Sequence, residues 1–142
     1  MERLEDCLSF LIGKAAQQVT KECRDALAPH GVTPVQFAIL KVLWEGDGRS
    51  GAELCQRLVL DSATVTGLVD RMESAGLVAR RADPAGDRRV NRVYLSDHGR
   101  SLEPVLCQVM DRVNEDFAAR LGAGRPAGFW QDLGVIGGLA GR

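Results

Sequence analysis

The sequence is poor in the side chains on which enzymatic chemistry most often depends. It contains two histidines, and aromatic residues make up 5% of its 142 residues. It shows no glycine-rich phosphate loop, no cluster of metal ligands and no Ser/His/Asp arrangement. We therefore expect a protein that is not an enzyme and that needs neither a metal nor an organic cofactor.

Long apolar runs and paired cysteines are also missing. No apolar run approaches the roughly 18–20 residues that span a bilayer, and the acidic, amphipathic first six residues differ from a signal peptide. The four cysteines, at positions 7, 23, 55 and 107, form no C-x-x-C pair. This favours reduced, mostly buried thiols over disulfides or a zinc site. Together these features predict a cytoplasmic protein without a membrane partner.

The chain also lacks the strong positive charge that is common in nucleic-acid-binding domains, since its net charge is −1. Its arginines are unevenly distributed, however. Five of them lie between residues 80 and 92 against two aspartates, Asp83 and Asp87, which leaves a local charge of +3. A compact basic segment in a nearly neutral chain predicts a local contact with an anionic partner.

What the sequence does contain is a series of amphipathic helices with clear end signals. Apolar spacing predicts four helices, which span about residues 4–27, 34–45, 51–58 and 62–75. Capping boxes that begin at Thr33 and Ser50 mark the starts of the second and third helices, and Asp61 caps the fourth. Gly76 is suited to end the fourth helix. Strands are predicted at residues 77–81 and 89–95, with a turn at 83–87 between them.

The C-terminal third is predicted to be helical as well. Ser96 and Asp97 cap a long fifth helix, which carries an apolar stripe over about five turns. Pro104 should kink this helix near Ser101. The last segment contains several glycines, which make it a weak helix.

The third and fourth helices, joined by the short turn Val59–Asp61, predict a helix-turn-helix whose second helix enters the major groove. If the apolar residues of the fourth helix face inward, its outer face presents hydroxyl groups, a small glycine and one cation. Hydroxyls bind phosphates or base edges, and a glycine permits close approach of the backbone. The candidate DNA contacts on this helix are Ser62, Thr64, Thr66, Gly67 and Arg71.

The hairpin that follows is placed as a wing. Arg88 and Arg89 directly follow its turn, at a position from which they would reach the adjacent minor groove. A solvated, charged hairpin is the alternative. The predicted fold class is mainly α with a small β-hairpin, a winged helix-turn-helix flanked by N- and C-terminal dimerisation helices.

Four segments carry further motifs: residues 60–73, Gly76-Leu77-Val78, Asp87-Arg88-Arg89 and residues 93–99. Together they give the sequence, over nearly its whole length, a resemblance to the MarR-type regulators of bacteria. It implies that Arg89 enters the minor groove, that Arg88 adds a phosphate contact and that Asp87 supports the wing tip by a salt bridge. It also implies one unit over residues 1–142, with a DNA-binding lobe at 31–96 and dimerisation helices at 1–30 and 97–142.

The residues themselves also favour a homodimer. The apolar stripes of the first and fifth helices are longer than one small lobe can cover, although packing within the chain is an alternative. Two chains would place two recognition helices roughly 34–36 Å apart on a palindromic double-stranded operator. The predicted function is therefore a transcription regulator, by default a repressor. A winged helix that contacts only other proteins is an alternative of another class.

Two kinds of switch are open. The resemblance implies a small aromatic or phenolic carboxylate as effector, in a pocket that we place at Phe10, His30, Phe37 and Trp44, although Phe37 and Trp44 equally suit a core. The alternative is an oxidant sensor at Cys7, near the start of the first helix. In the peroxide-sensing branch the reactive position aligns with Ser9, and the activating tyrosines are absent, so this is the weaker hypothesis.

Overall fold

The computed structural model describes residues 2–83, 85, 91–122 and 124–139. Seven α-helices and three strands follow one another in these ranges, preceded by a 3-10 turn at Leu4–Asp6 and with a second at Ala28–His30. They are α1 (Leu8–Leu27), α2 (Pro34–Glu45), β1 (Arg49–Ser50), α3 (Gly51–Leu58), α4 (Ser62–Ser74), β2 (Val78–Ala82), β3 (Asn91–Leu95), α5 (Asp97–Ser101), α6 (Glu103–Leu121) and α7 (Pro126–Ile136).

The first helix begins later than the apolar spacing predicts. The Asp6 carboxylate accepts hydrogen bonds from the main-chain N–H groups of Glu2 and Arg3, which closes a separate 3-10 turn. Cys7 is extended (φ −83°, ψ 112°) and forms the N-cap of α1. The predicted start at Leu4 is therefore wrong by four residues, because a local side-chain bond competes with the helix.

The sheet is antiparallel with strand order β1-β3-β2. Val78 pairs with Leu95 and Ala82 with Asn91, while the two-residue β1, which the sequence analysis did not predict, pairs Arg49 with Val93. Val93 and Leu95 are buried and alternate with Arg92 and Tyr94 on the other face. The predicted hairpin with one packed face is confirmed for the described part of both strands.

The core lies between α2, α3, α4 and the sheet, and the start of α6 closes it. The inward face predicted for α4 is confirmed, since Val65, Leu68, Val69 and Met72 are buried. Leu54 provides the contact from α3. Helix α4 is thereby held rigidly with one face against the lobe, which leaves its other face free. The most deeply buried side chains are Leu27, Ile39, Leu40, Leu43, Leu54, Val69, Met72 and Leu106.

The predicted long fifth helix is divided in two. Helix α5 ends at Ser101, and α6 begins at Glu103 with Pro104 in its first turn. Proline lacks the N–H that a continuous helix needs and is favoured at a helix start. The predicted kink near Ser101 is thus realised as a break at Leu102, and the expectation of one continuous helix is wrong.

Helices α1 and α6 pack together within the chain. The Arg120 guanidinium donates to both carboxylate oxygens of Glu22, at 2.7 and 2.8 Å, and Gln18 donates to one of them at 2.6 Å. These bonds, chiefly the one from Arg120, hold the pKa of Glu22 below its usual range. Leu106 and Val113 of α6 are buried. Part of the α6 stripe is therefore used inside the chain, as the alternative in the sequence analysis allowed.

Other apolar surface of the terminal helices stays exposed. On α1 and the turn before it, Leu4 and Leu8 are about 60% exposed, and on α7 Val135 and Ile136 are 67% and 56% exposed. Among the described residues no single helix is long and apolar enough to cross a membrane, and one helix pair bent by 73° meets that test by length and composition alone.

Candidate DNA-binding site

The turn between α3 and α4 is closed by an unusual residue. Val59 has left-handed backbone angles (φ 55°, ψ 46°), the only positive φ outside glycine among the described residues. Its N–H and that of Leu60 both donate to the Cys55 carbonyl. A β-branched residue rarely adopts this conformation, so the tight turn is imposed on Val59 by the packing of the two helices.

Helix α4 is capped by Asp61, as predicted. The Asp61 carboxylate accepts hydrogen bonds from the main-chain N–H of Thr64 at 2.8 Å and from the Thr64 hydroxyl at 2.7 Å. These bonds, the hydroxyl bond first, hold the pKa of Asp61 below its usual range. The charged cap fixes the first turn of the helix that would enter the groove.

The outer face of α4 is exposed where the sequence analysis placed the DNA contacts. Ser62, Thr64, Thr66 and Arg71 are exposed, and no atom lies within 4 Å of a Cβ built on Gly67. Thr64 differs from the others because its hydroxyl hydrogen is already directed to Asp61. It can still accept a hydrogen bond, but the donor role is occupied in this structure.

The C-terminal end of α4 leads directly into the wing. Gly76 has φ +70°, its N–H donates to the Glu73 carbonyl, and the Leu77 N–H donates to the Met72 carbonyl. This pair of bonds is a Schellman motif, which requires the left-handed conformation that glycine adopts without strain. The predicted role of Gly76 is confirmed.

Arg80 on β2 fastens the wing to the recognition helix. Its Nη1 pairs with the Glu73 carboxylate and lies 2.7 Å from Asp70, while its main-chain N–H donates to Glu73 at 2.7 Å. Its Nη2 also donates to the Thr66 carbonyl at 3.2 Å. We call this set of contacts, between Arg80 and Thr66, Asp70 and Glu73, the Arg80 clamp.

Arg92 has a similar internal role at the base of the wing. It lies 3.1 Å from the Asp83 carboxylate and 3.2 Å from Glu53, and it donates to the Gly48 carbonyl at 2.9 Å. Asp83 has a lowered pKa, chiefly through the N–H of Ala85 and then through Arg92. Two of the five arginines of the basic segment, Arg80 and Arg92, are thus neutralised inside the lobe. The number of arginines in this segment is therefore larger than the number available to contact DNA.

Of the other three arginines, the structure describes only Arg81. It is exposed and lies opposite Arg92 across the two strands, with its guanidinium carbon 5.5 Å from the centre of the Tyr94 ring. The carboxylates around Arg92 and the ring beside Arg81 offset the repulsion expected between like charges in this position. Asp87, Arg88 and Arg89, on which the wing-tip predictions rest, lie outside the described residues.

Three further residues, Asp47, Ser96 and Gly99, join the wing to the rest of the lobe. Asp47 accepts from the Leu95 N–H at 2.9 Å and pairs with Arg100 at 2.6 Å. Ser96 donates to the Gly76 carbonyl, and Gly99 passes so close to Leu77 that a Cβ would overlap its carbonyl oxygen. Of these, the sequence analysis predicted a role only for Ser96, as a helix cap. The role of Asp47 gives no local signal, because it depends on a contact 48 residues away.

The residues of the predicted effector pocket are partly separated. Phe37 and Trp44 pack edge to face, with ring centres 5.9 Å apart, beside the core. The Trp44 indole N–H donates to the Gly99 carbonyl at 3.1 Å. Phe10 is 37% exposed on α1, and His30 is half-buried after it. Four surface clefts on the described part of the chain are all lined by other residues, and the pocket stays a prediction.

The candidate redox residue lies at the start of α1. The Cys7 sulfur is 3.2 Å from the Ser9 hydroxyl oxygen. Hydrogen bonding from Ser9, and then from the main-chain N–H of Phe10, lowers the pKa of the Cys7 thiol. A lower pKa increases the fraction of Cys7 that is present as thiolate, the form that reacts with oxidants.

A capped, outward-facing helix that follows a tight turn and runs into an antiparallel hairpin defines a winged helix-turn-helix protein. The sequence model described as MarR family matches residues 30–89. The organic hydroperoxide resistance transcriptional regulator of Bacillus subtilis (strain 168) is 31% identical over 101 residues, which are 71% of this chain and 68% of that protein. The chain belongs to the MarR family of transcriptional regulators.

Two further comparisons agree with this assignment. The HTH-type transcriptional regulator TtmR of Methylorubrum extorquens (strain PA1) is 39% identical over 102 residues, which are 72% of this chain but only 52% of TtmR. The chain thus matches about half the length of TtmR. The transcriptional repressor CouR, solved on a 23-mer DNA duplex, superposes with a TM-score of 0.87 at 26% identity over 96% of both chains. These relatives are regulators and not enzymes.

Proposed function

We propose that this protein is a cytoplasmic, sequence-specific repressor that binds double-stranded DNA through α4 and the wing. The observation that carries the proposal is the exposed outer face of α4, held by the Asp61 cap at one end and by the Arg80 clamp along its length. Helix and wing are thus presented as one rigid unit, as entry into a groove requires.

The contacts are assigned by position. Ser62, Thr64, Thr66, Gly67 and Arg71 face the major groove, and Arg88 and Arg89 contact the backbone and minor groove, with Asp87 as their support. With Arg80 and Arg92 engaged internally, the affinity depends on few cations. The slope of log affinity against log salt should therefore be modest, since each phosphate contact contributes about 0.9 to it.

The test begins with selection of the binding site from genomic fragments, followed by titration of the selected duplex. Arg89→Ala should weaken binding by tenfold or more, whereas Arg112→Gln, an exposed position on α6, should not change it. A winged helix that contacts only proteins would select no duplex at all. Full-strength binding by Arg89→Ala would contradict the assigned wing contact.

The repressor is proposed to act as a homodimer. Exposed apolar side chains lie on α1 (Leu8 and Leu11) and on α7 (Trp130 and Leu133), and pairing two chains would remove them from water. The selected site should then be a palindrome with half-sites roughly 34–36 Å apart. Leu8→Glu should give monomers in sedimentation analysis, while Ala82→Glu, at an exposed position on β2, should leave the dimer intact.

Release from DNA is proposed to follow binding of a small aromatic or phenolic carboxylate. The support is indirect: CouR, which shares the fold, has also been solved with p-coumaroyl-CoA bound, a ligand with a phenolic ring whose acyl group is a thioester and not a free carboxylate. For this chain, the pocket at Phe10, His30, Phe37 and Trp44 is tested by titrating the protein–DNA complex with aromatic acids. Loss of the response in Phe10→Ala or His30→Ala would support that location.

A thiol switch is the second candidate, and the Cys7–Ser9 contact is the observation in its favour. One relative is named for organic hydroperoxide resistance. If Cys7 is the sensor, cumene hydroperoxide should release the protein from DNA, and Cys7→Ser should abolish this response while Cys107→Ser retains it. Release by aromatic acids but not by peroxide would favour the first candidate.

A further inference from the structure

The surface of α4 that faces away from the core has two sides of different charge. Thr66, Asp70 and Glu73 are spaced four and three residues apart, so they share the side that the Arg80 clamp joins to β2. That side holds two carboxylates against one guanidinium. Thr64 is two residues before Thr66, about 200° around the helix, and is exposed on the other side. The Thr64 side is therefore the one that avoids repulsion by the phosphates of DNA.

The Thr64 side also has room for the edge of a base pair. Gly67 and Arg71 follow Thr64 by three and seven residues, so all three lie on the same side. A Cβ built on Gly67 would meet no atom of the described chain within 4 Å, so the helix backbone can come close to a groove at this point. Arg71 is about 10 Å further along the helix. Since the N-terminal residues of a recognition helix contact the base edges, Thr64 is better placed than Arg71 to touch a base.

The Thr64 side chain is held in one orientation before DNA binds. Its hydroxyl donates to the Asp61 carboxylate at 2.7 Å, and the same carboxylate accepts the main-chain N–H of Thr64 at 2.8 Å. A β-branched side chain has few χ1 orientations, so a fixed hydroxyl also fixes the methyl group. The single hydroxyl hydrogen is engaged, so Thr64 cannot donate to a base or a phosphate without breaking this contact. Because the hydroxyl is turned back toward the cap three residues earlier, the methyl group is the part of this exposed side chain that is left for the groove.

We propose that the Thr64 methyl group reads the 5-methyl group of one thymine in each half-site, with Asp61 as the residue that positions it. Thymine is the base that presents a methyl group in the major groove, and a threonine methyl is a suitable apolar partner for it. This inference rests on the proposed DNA-binding function and adds the base that one side chain selects. Acceptance of a hydrogen bond from an adenine or cytosine amino group is the other use of this side chain, and the test separates the two.

The test compares duplexes that differ by single methyl groups. The binding site is first selected from genomic fragments, and each thymine is then replaced in turn by uracil, which lacks only the 5-methyl group. Fluorescence anisotropy gives Kd for each duplex with the full-length protein. One thymine per half-site should be sensitive in the wild type. Each lost methyl group should weaken binding about fourfold, and the loss in both half-sites about fifteenfold.

Three serine variants identify the protein group that senses this methyl. Thr64→Ser removes the side-chain methyl group and keeps the hydroxyl contact with Asp61, so it should bind the thymine and uracil duplexes equally. Thr66→Ser removes the same group from the clamp side and should keep the fourfold preference at that thymine. Thr20→Ser, at an exposed position on α1, should match the wild type throughout. Each variant is judged by the ratio of its own two affinities, so a change in the folded fraction cancels.

Equal sensitivity to uracil in the wild type and in Thr64→Ser would overturn the proposal. A wild type that tolerates uracil at every position would overturn it as well. If Thr64 instead accepts a hydrogen bond from an amino group, Thr64→Ser keeps the affinity of the wild type and Thr64→Val loses it. Failure of the proposed function is a separate result, because the wild type would then select no duplex at all.

Discussion

The Arg80 clamp allows a prediction whose sign differs from that of simple electrostatics. Glu73→Gln removes a negative charge from the recognition helix, which by itself should strengthen binding to DNA. The structure predicts the opposite. Glu73 is the clamp residue that accepts both the guanidinium and the main-chain N–H of Arg80. Without its charge, α4 and the wing lose part of what holds them in one orientation.

The magnitude follows from the exposure of the two side chains, which are 24% (Arg80) and 33% (Glu73) exposed. A hydrogen bond to a charged group contributes about 1.5–3 kcal/mol, and partial solvent screening reduces this to about 1–2 kcal/mol. Glutamine still accepts the main-chain N–H, so the loss is that of the ionic contact alone. If the loss appears in binding, Kd rises about five- to thirtyfold.

Asp70→Asn is the matched control. It removes the same charge from the same helix and also contacts Arg80, but Asp70 is 60% exposed. An exposed pair contributes about 0–1 kcal/mol, so DNA affinity should stay constant or rise. The assay is fluorescence anisotropy on the selected duplex over a range of salt concentrations. The reasoning is refuted if both variants bind DNA more tightly to the same extent. A salt slope steeper by about one in Glu73→Gln would also refute it, because the freed Arg80 would then be binding a phosphate.

Three further predictions concern stability. Val59→Gly should stabilise the fold by about 0.5–1 kcal/mol, because glycine adopts the left-handed angles without strain and the valine side chain is 79% exposed; a lower melting temperature would contradict this. Gly99→Ala should lower the free energy of unfolding, measured in urea, by about 1–3 kcal/mol, since the new methyl group overlaps the Leu77 carbonyl oxygen. Unchanged stability would show that α5 shifts to accommodate the methyl group. The pKa of Glu22 in the folded state is below its ordinary value of 4.5, so the ionised side chain stabilises the fold at pH values above 4.5. This contribution is lost as the pH falls through the folded-state pKa. Glu22→Gln should therefore flatten the acid side of the stability profile, and an unchanged profile would mean that the pairing with Arg120 contributes nothing.

Local signals determined most of the helix ends. The Asp61 cap, the Ser50 and Thr33 capping boxes and the glycine after α4 were predicted correctly, because each depends on residues within about four positions of one another. The inward face of α4 was also predicted, since a helical period needs no knowledge of the partner it packs against. The family was predicted from motifs in these same local segments.

The errors arose where a second local interaction competes or where a contact is distant. Asp6 closes a separate turn, so α1 begins four residues later than predicted. At Pro104 the predicted kinked helix is instead two helices. The two-residue β1 has no periodicity of its own and exists only because β3 lies beside it. Such features depend on competition between nearby bonds and on pairing partners far along the chain.

What the sequence by itself determined, then, is the order of the first four helices and the hairpin, the recognition helix and the family, since periodicity, caps and motifs are local in the chain. Only the tertiary structure decided which charges are free. Arg80 and Arg71 are the same type of residue in the same lobe. Arg80 is paired with Glu73 and Asp70, whereas Arg71 lines an open cleft with Arg24. The physical reason is that the field of a charge depends on neighbours brought together by folding. A count of arginines along the chain cannot distinguish an arginine that is paired with carboxylates from one that is exposed on the surface.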